Sequence, residues 1–61
     1  NSFLADLSTD DRILFMGRYF AMESIQTLAD RNGVTRNTVN IRLSRMRKKL
    51  KSWLEERSIF L

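Results

Sequence analysis

The residues with the clearest chemical potential lie between positions 31 and 51, where the chain places eight cations and no anion. Asparagine, arginine and one isoleucine are interleaved there, at Arg36, Asn37, Asn40, Ile41 and Arg45. Asparagine can pair with adenine, arginine with guanine, and an apolar side chain with the thymine methyl group. A block of like charge also repels itself when it has no polyanionic partner. The pattern therefore indicates base readout within a basic segment.

The residue types that are missing exclude most other chemistry. The chain contains no cysteine and no histidine, so it has no disulfide, no thiolate nucleophile, no Ser-His pair and no imidazole metal ligand. Asp10 and Asp11 stand side by side, but acids at a helix start usually serve the helix dipole rather than catalysis. We therefore predict a protein that is not an enzyme and that uses no cofactor and no metal.

Charge is divided unequally along the chain. Residues 1–30 carry two cations and five anions, a net charge of −3, whereas residues 31–61 carry nine cations and two anions, a net charge of +7. A basic cluster alone is as compatible with a solvated helix face as with phosphate binding. The position of the cluster on the predicted helices distinguishes a solvated face from a phosphate-binding surface.

Length and composition predict a single all-α domain over residues 1–61. Sixty-one residues, 43% of them hydrophobic, form one small core, and a chain of this length buries about 60% of its unfolded surface. The chain has no proline and only two glycines, Gly17 and Gly33, so nearly all of it can be helical. Its first residue is Asn1 rather than Met, and we expect the domain to be a fragment of a longer protein.

Four helices are predicted from capping residues and apolar spacing. The first is short, with an apolar face formed by Phe3, Leu4 and Leu7. The N-cap residues of the other three are Ser8, Ser24 and Thr35. Asn32-Gly33 supplies residues that tolerate positive φ, so it is predicted to end the third helix.

The second and fourth helices form most of the predicted structure. The second extends to about Phe20 and is apolar around much of its axis, so we expect it to be the central helix on which the others pack. The fourth runs unbroken from Arg36 to about Glu56, about 30 Å at 1.5 Å per residue. The third and fourth helices form a helix-turn-helix, in which the second of the pair enters the DNA major groove.

The fourth helix has two faces when its residues are placed 100° apart. The apolar face comprises Val39, Leu43, Met46, Leu50, Trp53 and Leu54. The opposite face comprises Asn37, Asn40, Ile41, Ser44, Arg45 and Lys48. The outer face of the first two turns is therefore a candidate for base contacts. Cations farther along the helix and at its flanks, together with Arg31, are candidates for phosphate contacts.

Five segments add a further signal: Arg18-Tyr19-Phe20, Ser24 to Ala29, Gly33-Val34-Thr35, Thr38-Val39 and Arg42 to Leu50. Together they resemble region 4 of the bacterial sigma-70 family of sigma factors, and the extracytoplasmic-function subgroup in particular. The most specific piece is Arg-Leu-Ser-Arg-Met-Arg-Lys-Lys-Leu at the end. The resemblance extends from about Leu4 to Leu54 and so covers nearly the whole chain.

This resemblance implies a four-helix domain that recognises the −35 promoter element within RNA polymerase holoenzyme. It also implies docking on the polymerase β-subunit flap and, in many members, capture by an anti-sigma factor. The domain would then act in the bacterial cytoplasm, at the nucleoid and away from membranes, and we expect the fragment to be monomeric. The predicted DNA-binding residues are Thr35, Arg36, Asn37, Thr38, Asn40, Ile41, Arg42, Ser44, Arg45, Arg47, Lys48 and Arg31.

The chain departs from the family pattern at three positions. Met22 and Glu23 stand where the family often has a glycine followed by an apolar residue, and Asn32 stands where an apolar residue often closes the third helix. Gly17 lies inside the second helix, where glycine costs about 1 kcal/mol relative to alanine. Close approach of another helix would account for it.

Other functions remain open. The output domain of a response-regulator activator has a similar helix-turn-helix, but that group typically dimerises on paired half-sites. A protein-interaction module would use the long helix to bind an anti-sigma factor or another helical partner. An enzyme would have to rely on isolated serine, tyrosine and carboxylate side chains, for which the pattern indicates no pocket.

Overall fold

The computed structural model describes residues 2–57 and contains four α-helices: α1 (Ser2–Asp6), α2 (Thr9–Tyr19), α3 (Ile25–Asn32) and α4 (Arg36–Glu56). All regular structure within those residues is helical, which confirms the predicted all-α class. α3, a short turn and α4 form the helix-turn-helix, with α4 as the long C-terminal helix. Across the same residues, none of the helices is long and apolar enough to cross a membrane.

Local hydrogen bonds fix the ends of these helices. Ser8, Ser24 and Thr35 each accept a hydrogen bond from the backbone N–H three residues on, at 3.2, 3.0 and 3.1 Å respectively. Each bond satisfies one of the N–H groups that a helix start leaves unpaired. Gly33 ends α3 with a φ of 65°, a left-handed conformation in which glycine has no Cβ to clash. The predicted caps and the glycine stop are confirmed.

The core lies between the inner face of α4 and the other helices. Val39, Leu43 and Met46 are at most 1% exposed, and Leu50 and Trp53 pack beside them. The other buried apolar residues are Phe3, Leu7, Leu14, Phe15, Leu28 and Ala29. The apolar stripe predicted for the fourth helix is therefore its core face from Val39 to Trp53, whereas Leu54 at its end lines an open groove.

Aromatic contacts attach α1 to α2 and α4. The ring centroid of Phe3 lies 5.5 Å from that of Phe15 and 6.4 Å from that of Trp53, both in edge-on geometry. The guanidinium carbon of Arg57 lies 4.0 Å from the centroid of the Trp53 ring. Edge-to-face pairs contribute about 0.5–1.5 kcal/mol beyond the area they bury. These aromatic contacts thus hold α1, a helix of five residues, in a specific position on the domain.

The predicted central position of α2 is wrong. Only Leu14, Phe15 and Gly17 of this helix are buried. The outer apolar residues, here called the α2 surface, are exposed: Ile13 by 46%, Met16 by 38%, Tyr19 by 40% and Phe20 by 66%. α1 has five residues and α3 has eight, so they have too little surface to cover α2 on every side. α4 instead provides the continuous buried stripe.

Gly17 marks a close approach between α2 and α3. A Cβ atom at this position would lie 2.6 Å from Leu28 Cδ2, closer than packed carbon atoms approach one another. Leu28 is 1% exposed and therefore has little room to withdraw. The close approach of α3 to α2 therefore explains the glycine inside α2.

Polar side chains hold the turn between α2 and α3 and the end of α3. The Glu23 carboxylate pairs with Arg31, and the Glu23 carbonyl accepts a hydrogen bond from Arg18 Nη1 at 3.0 Å. Asn32 Nδ2 donates to the Leu28 carbonyl at 2.7 Å, which satisfies a carbonyl near the helix end. Two of the departures from the family pattern, Glu23 and Asn32, thus have a local structural role.

The third departure, Met22, adopts a φ of 59°, which costs a residue with a side chain about 1–2 kcal/mol. Its side chain is 79% exposed, so its removal loses little buried area. We expect Met22→Gly to raise the free energy of unfolding by about 0.5–1 kcal/mol, after the greater entropy of the unfolded glycine chain is subtracted. Urea denaturation followed by circular dichroism measures the change. Ala21→Gly is the control and should lower stability; a gain at both positions would contradict the explanation.

Candidate nucleic-acid interface

The outer side of α4 presents a row of side chains to solvent. Asn37, Asn40, Ile41, Arg45 and Lys48 are exposed along it. Eleven residue steps in a helix cover about 16 Å, and the major groove of B-DNA is about 12 Å wide. The row is therefore long enough to follow the floor of the groove.

Most side chains in this row have no partner inside the domain. Among residues 2–57, no side-chain hydrogen bond or ion pair involves Arg36, Asn37, Asn40, Arg45 or Lys48. Polar groups that make no internal bonds keep their full capacity for an external partner. These five residues of the predicted DNA-binding set, four in the row and Arg36 at the start of α4, are thus available to an external partner.

Two other predicted residues shape the start of the helix. The hydroxyl oxygens of Thr35 and Thr38 lie 3.0 Å apart, and the Thr35 hydroxyl also caps α4. The first turn of α4 carries no acidic residue, so the positive end of its dipole is not neutralised there. These threonines set the direction in which α4 leaves the turn.

Three predicted cations are bonded to side chains of the preceding elements. The pairs are Arg31 with Glu23, Arg42 with Asp11 at 3.7 Å, and Arg47 with Tyr19 at 2.8 Å. Arg42 is half-buried, as is Ser44. The predicted set therefore divides into side chains that are available and arginines that already have partners within the domain.

A cleft of about 340 Å³ separates the start of α2 from α4. Its polar lining consists of Ser8, Asp10, Asp11, Arg42, Arg45 and Lys49. Two carboxylates therefore face three cations, one of which, Arg45, also belongs to the exposed row. Sequence reasoning assigned Asp10 and Asp11 only to the start of a helix. Helical spacing holds no signal for a contact between residues 31 positions apart.

An apolar groove of about 520 Å³ lies on another side of the domain. It is lined by Phe3, Leu4, Phe15, Tyr19, Phe20, Leu50, Trp53 and Leu54, with Arg47 as its cation. Phe20 of the α2 surface also borders a second depression, which lies between α2 and α3. It is therefore shared by the apolar groove and this depression. The apolar pattern around α2 is the sequence signal for this groove, although the same pattern also predicts burial.

An exposed row of asparagine and arginine on the second helix of a helix-turn-helix is typical of the DNA-binding domains that use this motif. The family model described as Sigma-70, region 4 matches residues 3–52. The chain belongs to this family, which confirms the predicted resemblance to region 4 of the sigma-70 family. It is a DNA-binding, non-enzymatic region of a sigma factor, a protein that acts in transcription with RNA polymerase. No curated protein and no solved structure gives a significant match.

Proposed function

We propose that this chain reads the −35 promoter element as the C-terminal domain of an alternative sigma factor of the extracytoplasmic-function type. The observation that carries the proposal is the exposed row on α4, where Asn37, Asn40 and Arg45 have no partner among the described residues. Asparagine and arginine have the donor and acceptor geometry to pair with adenine and guanine. The sequence resemblance supports the subgroup and the promoter element.

In the proposed complex, α4 lies in the major groove and α3 crosses the DNA backbone. Asn37, Asn40 and Arg45 contact base edges, and Ile41, which is 43% exposed, contacts a thymine methyl group. Cations at the ends of the row bind phosphates and fix the register without reading sequence. Because so few side chains are available, the isolated domain should bind weakly and depend on polymerase for most of its hold on promoters.

A second surface is proposed to bind the β-subunit flap of RNA polymerase. The α2 surface and the adjoining groove contain none of the residues of the exposed row. Exposed apolar patches rimmed by polar residues are typical of interaction sites, and a groove of this kind accepts the apolar side of a helix. DNA and polymerase would therefore use different side chains and could bind at the same time.

Among the residues of this surface, we expect the replacement of Phe20 to weaken polymerase binding most. Phe20 is 66% exposed and borders both the apolar groove and the depression between α2 and α3. Truncation of an aromatic anchor at an interface typically costs more than 1 kcal/mol. Phe20→Ser should therefore weaken binding to core RNA polymerase about tenfold, measured by fluorescence anisotropy of the labelled chain. Met22→Ser, at an exposed turn position, is the control. Equal losses for both variants would contradict the assignment of the surface.

We further propose that an anti-sigma factor, where one exists, covers the same apolar surface and so blocks polymerase. The isolated chain is proposed to be monomeric and to act in the bacterial cytoplasm at the nucleoid. Sedimentation tests the first of these statements. A stable dimer would favour the response-regulator alternative, since those domains bind paired half-sites.

The experiment that tests promoter reading is selection from a random duplex pool by the intact sigma factor with core polymerase. The selected duplex should then bind the 61-residue chain better than a random duplex does. Binding should weaken with salt, because log affinity falls against log salt with a slope of about −0.9 per phosphate contact. Tight, sequence-blind binding that salt does not weaken would contradict the proposal.

The α2 surface also favours a second candidate, a module whose main task is protein interaction. Its four apolar side chains are all at least 38% exposed, more apolar surface than DNA reading requires. The two candidates differ in what happens when the exposed row on α4 is removed. A protein-interaction module would keep its function without the row, whereas a promoter-reading domain would lose it.

A further inference from the structure

We propose that the acidic start of α2 limits the phosphate-driven DNA affinity of this domain, with Asp11 as the attenuating residue. The proposal rests on the DNA-binding role argued above and concerns the regulation of the same surface. The observation behind it is the cleft between α2 and α4, in which Asp10 and Asp11 face Arg42, Arg45 and Lys49. The acids therefore lie where DNA phosphates would approach α4.

The most direct contact in the cleft is the ion pair between Asp11 and Arg42. Arg42 Nη1 lies 3.7 Å from Asp11 Oδ1, and the two side chains are 38% and 26% exposed. Partial burial reduces the screening of a charge pair by water and salt. Arg42 is consequently matched by a charge of the protein, and a phosphate could recruit it only in competition with Asp11.

Asp11 is held in place independently of DNA. Its backbone N–H donates to Ser8 Oγ at 3.2 Å, and its carboxylate lies in the first turn of α2, where the helix dipole favours a negative charge. The acid is therefore part of the rigid start of a helix. It stays beside α4 whether or not DNA is present.

The position of Arg45 connects this acidic region to DNA. Arg45 lines the cleft and also belongs to the exposed row on α4. Carboxylates in the cleft therefore reduce the positive potential at the edge of the row. Sequence-independent DNA binding is almost wholly electrostatic, so it is the part of the affinity that such acids reduce most directly. A free domain with low affinity of this kind is not trapped on non-promoter DNA.

The test is Asp11→Asn, which keeps the size of the side chain and the backbone hydrogen bond to Ser8. The probe is a labelled 30-base-pair duplex of random sequence, and binding of the 61-residue chain is followed by fluorescence anisotropy over a series of salt concentrations. Freed Arg42 should add about one phosphate contact, which makes the log–log salt slope steeper by about 0.9. The affinity at 0.1 M salt should rise about threefold or more.

Glu56→Gln is the matched control because it removes the same charge elsewhere on the domain. Glu56 is 75% exposed and lies 14 residues beyond Arg42 on α4, about 21 Å along the helix axis. That separation exceeds the screening length of about 10 Å at 0.1 M salt. The control should change affinity less than twofold. An equal rise for both variants would overturn the proposal, since net charge alone would then explain it.

A double variant with Arg42→Gln distinguishes the effect of the ion pair from the general electrostatic effect of the Asp11 carboxylate. In that background Asp11→Asn should no longer steepen the salt slope. Unchanged affinity and slope for Asp11→Asn in a chain that still binds DNA with salt dependence would overturn this proposal and leave the DNA-binding role intact. If the unaltered chain binds neither the selected nor the random duplex at any salt, the proposed function fails and this proposal fails with it.

Discussion

Replacing Asn40 and Arg45 together with alanine is expected to weaken promoter binding by this domain at least thirtyfold. Each bidentate contact to a base is worth about 1–3 kcal/mol of discrimination, so the loss of two weakens binding to the selected duplex at least thirtyfold, about 2 kcal/mol or more. Both side chains are exposed and have no partner among residues 2–57, so the fold should be unaffected. Gel-shift titration with the selected duplex measures the loss.

The control for this variant is Lys51→Ala combined with Ser52→Ala. It removes the same net charge from α4 at two exposed positions, beyond the row that we propose to lie in the groove. Promoter binding should fall less than threefold, in line with the loss of at most one phosphate contact. Core polymerase should bind both variants normally. If promoter use survives the loss of Asn40 and Arg45, the domain is better explained as a protein-interaction module.

Leu43→Ala is expected to remove a large part of the stability of the domain. Leu43 is 1% exposed in the centre of the buried stripe of α4, and truncation of a buried leucine costs about 2–5 kcal/mol. A domain of this length has a total stability of about 3–9 kcal/mol at typical values per residue. The substitution therefore removes a large part of the free energy of unfolding, and urea denaturation followed by circular dichroism at 222 nm measures it.

Ile41→Ala tests whether burial, rather than the loss of any branched apolar residue from α4, causes this effect. Ile41 lies two residues before Leu43 but points outward and is 43% exposed. Its replacement should change stability by no more than about 0.5 kcal/mol, while affinity for the selected duplex falls if the side chain meets a thymine methyl group. Equal destabilisation by the two variants would contradict the division of α4 into a core face and an outer face.

The ends and faces of the helices could be predicted from the sequence because the physics that decides them is local. A serine or threonine cap acts within three residues, as Ser8, Ser24 and Thr35 do here. The helical period alone places Val39 and Leu43 inward and Asn40 outward. Gly33 needed only the rule that a left-handed residue at a helix end favours glycine.

The availability of individual cations could not be predicted, because their partners lie on other helices. Arg47 donates to Tyr19, 28 positions earlier, and Arg42 meets Asp11 across the cleft. Composition shows only that cations outnumber anions in this half of the chain. Likewise, the apolar residues around α2 show that contact with water is unfavourable there. They do not show whether another part of this chain or a partner covers them, and this distinction matters most for Phe20.

The edge-on contact between Phe3 and Trp53 gives the domain its own optical reporter. Trp53 is the only tryptophan in the chain, and its ring on α4 contacts Phe3 of α1. Detachment of α1 would admit water to the indole and shift its emission to longer wavelength. Trp53 packs against the core, five residues beyond Lys48 at the end of the exposed row, so DNA bound along the row should change the emission much less than detachment of α1 does. The attachment of α1 to the rest of the domain can therefore be followed through tryptophan emission in unlabelled protein, separately from DNA binding.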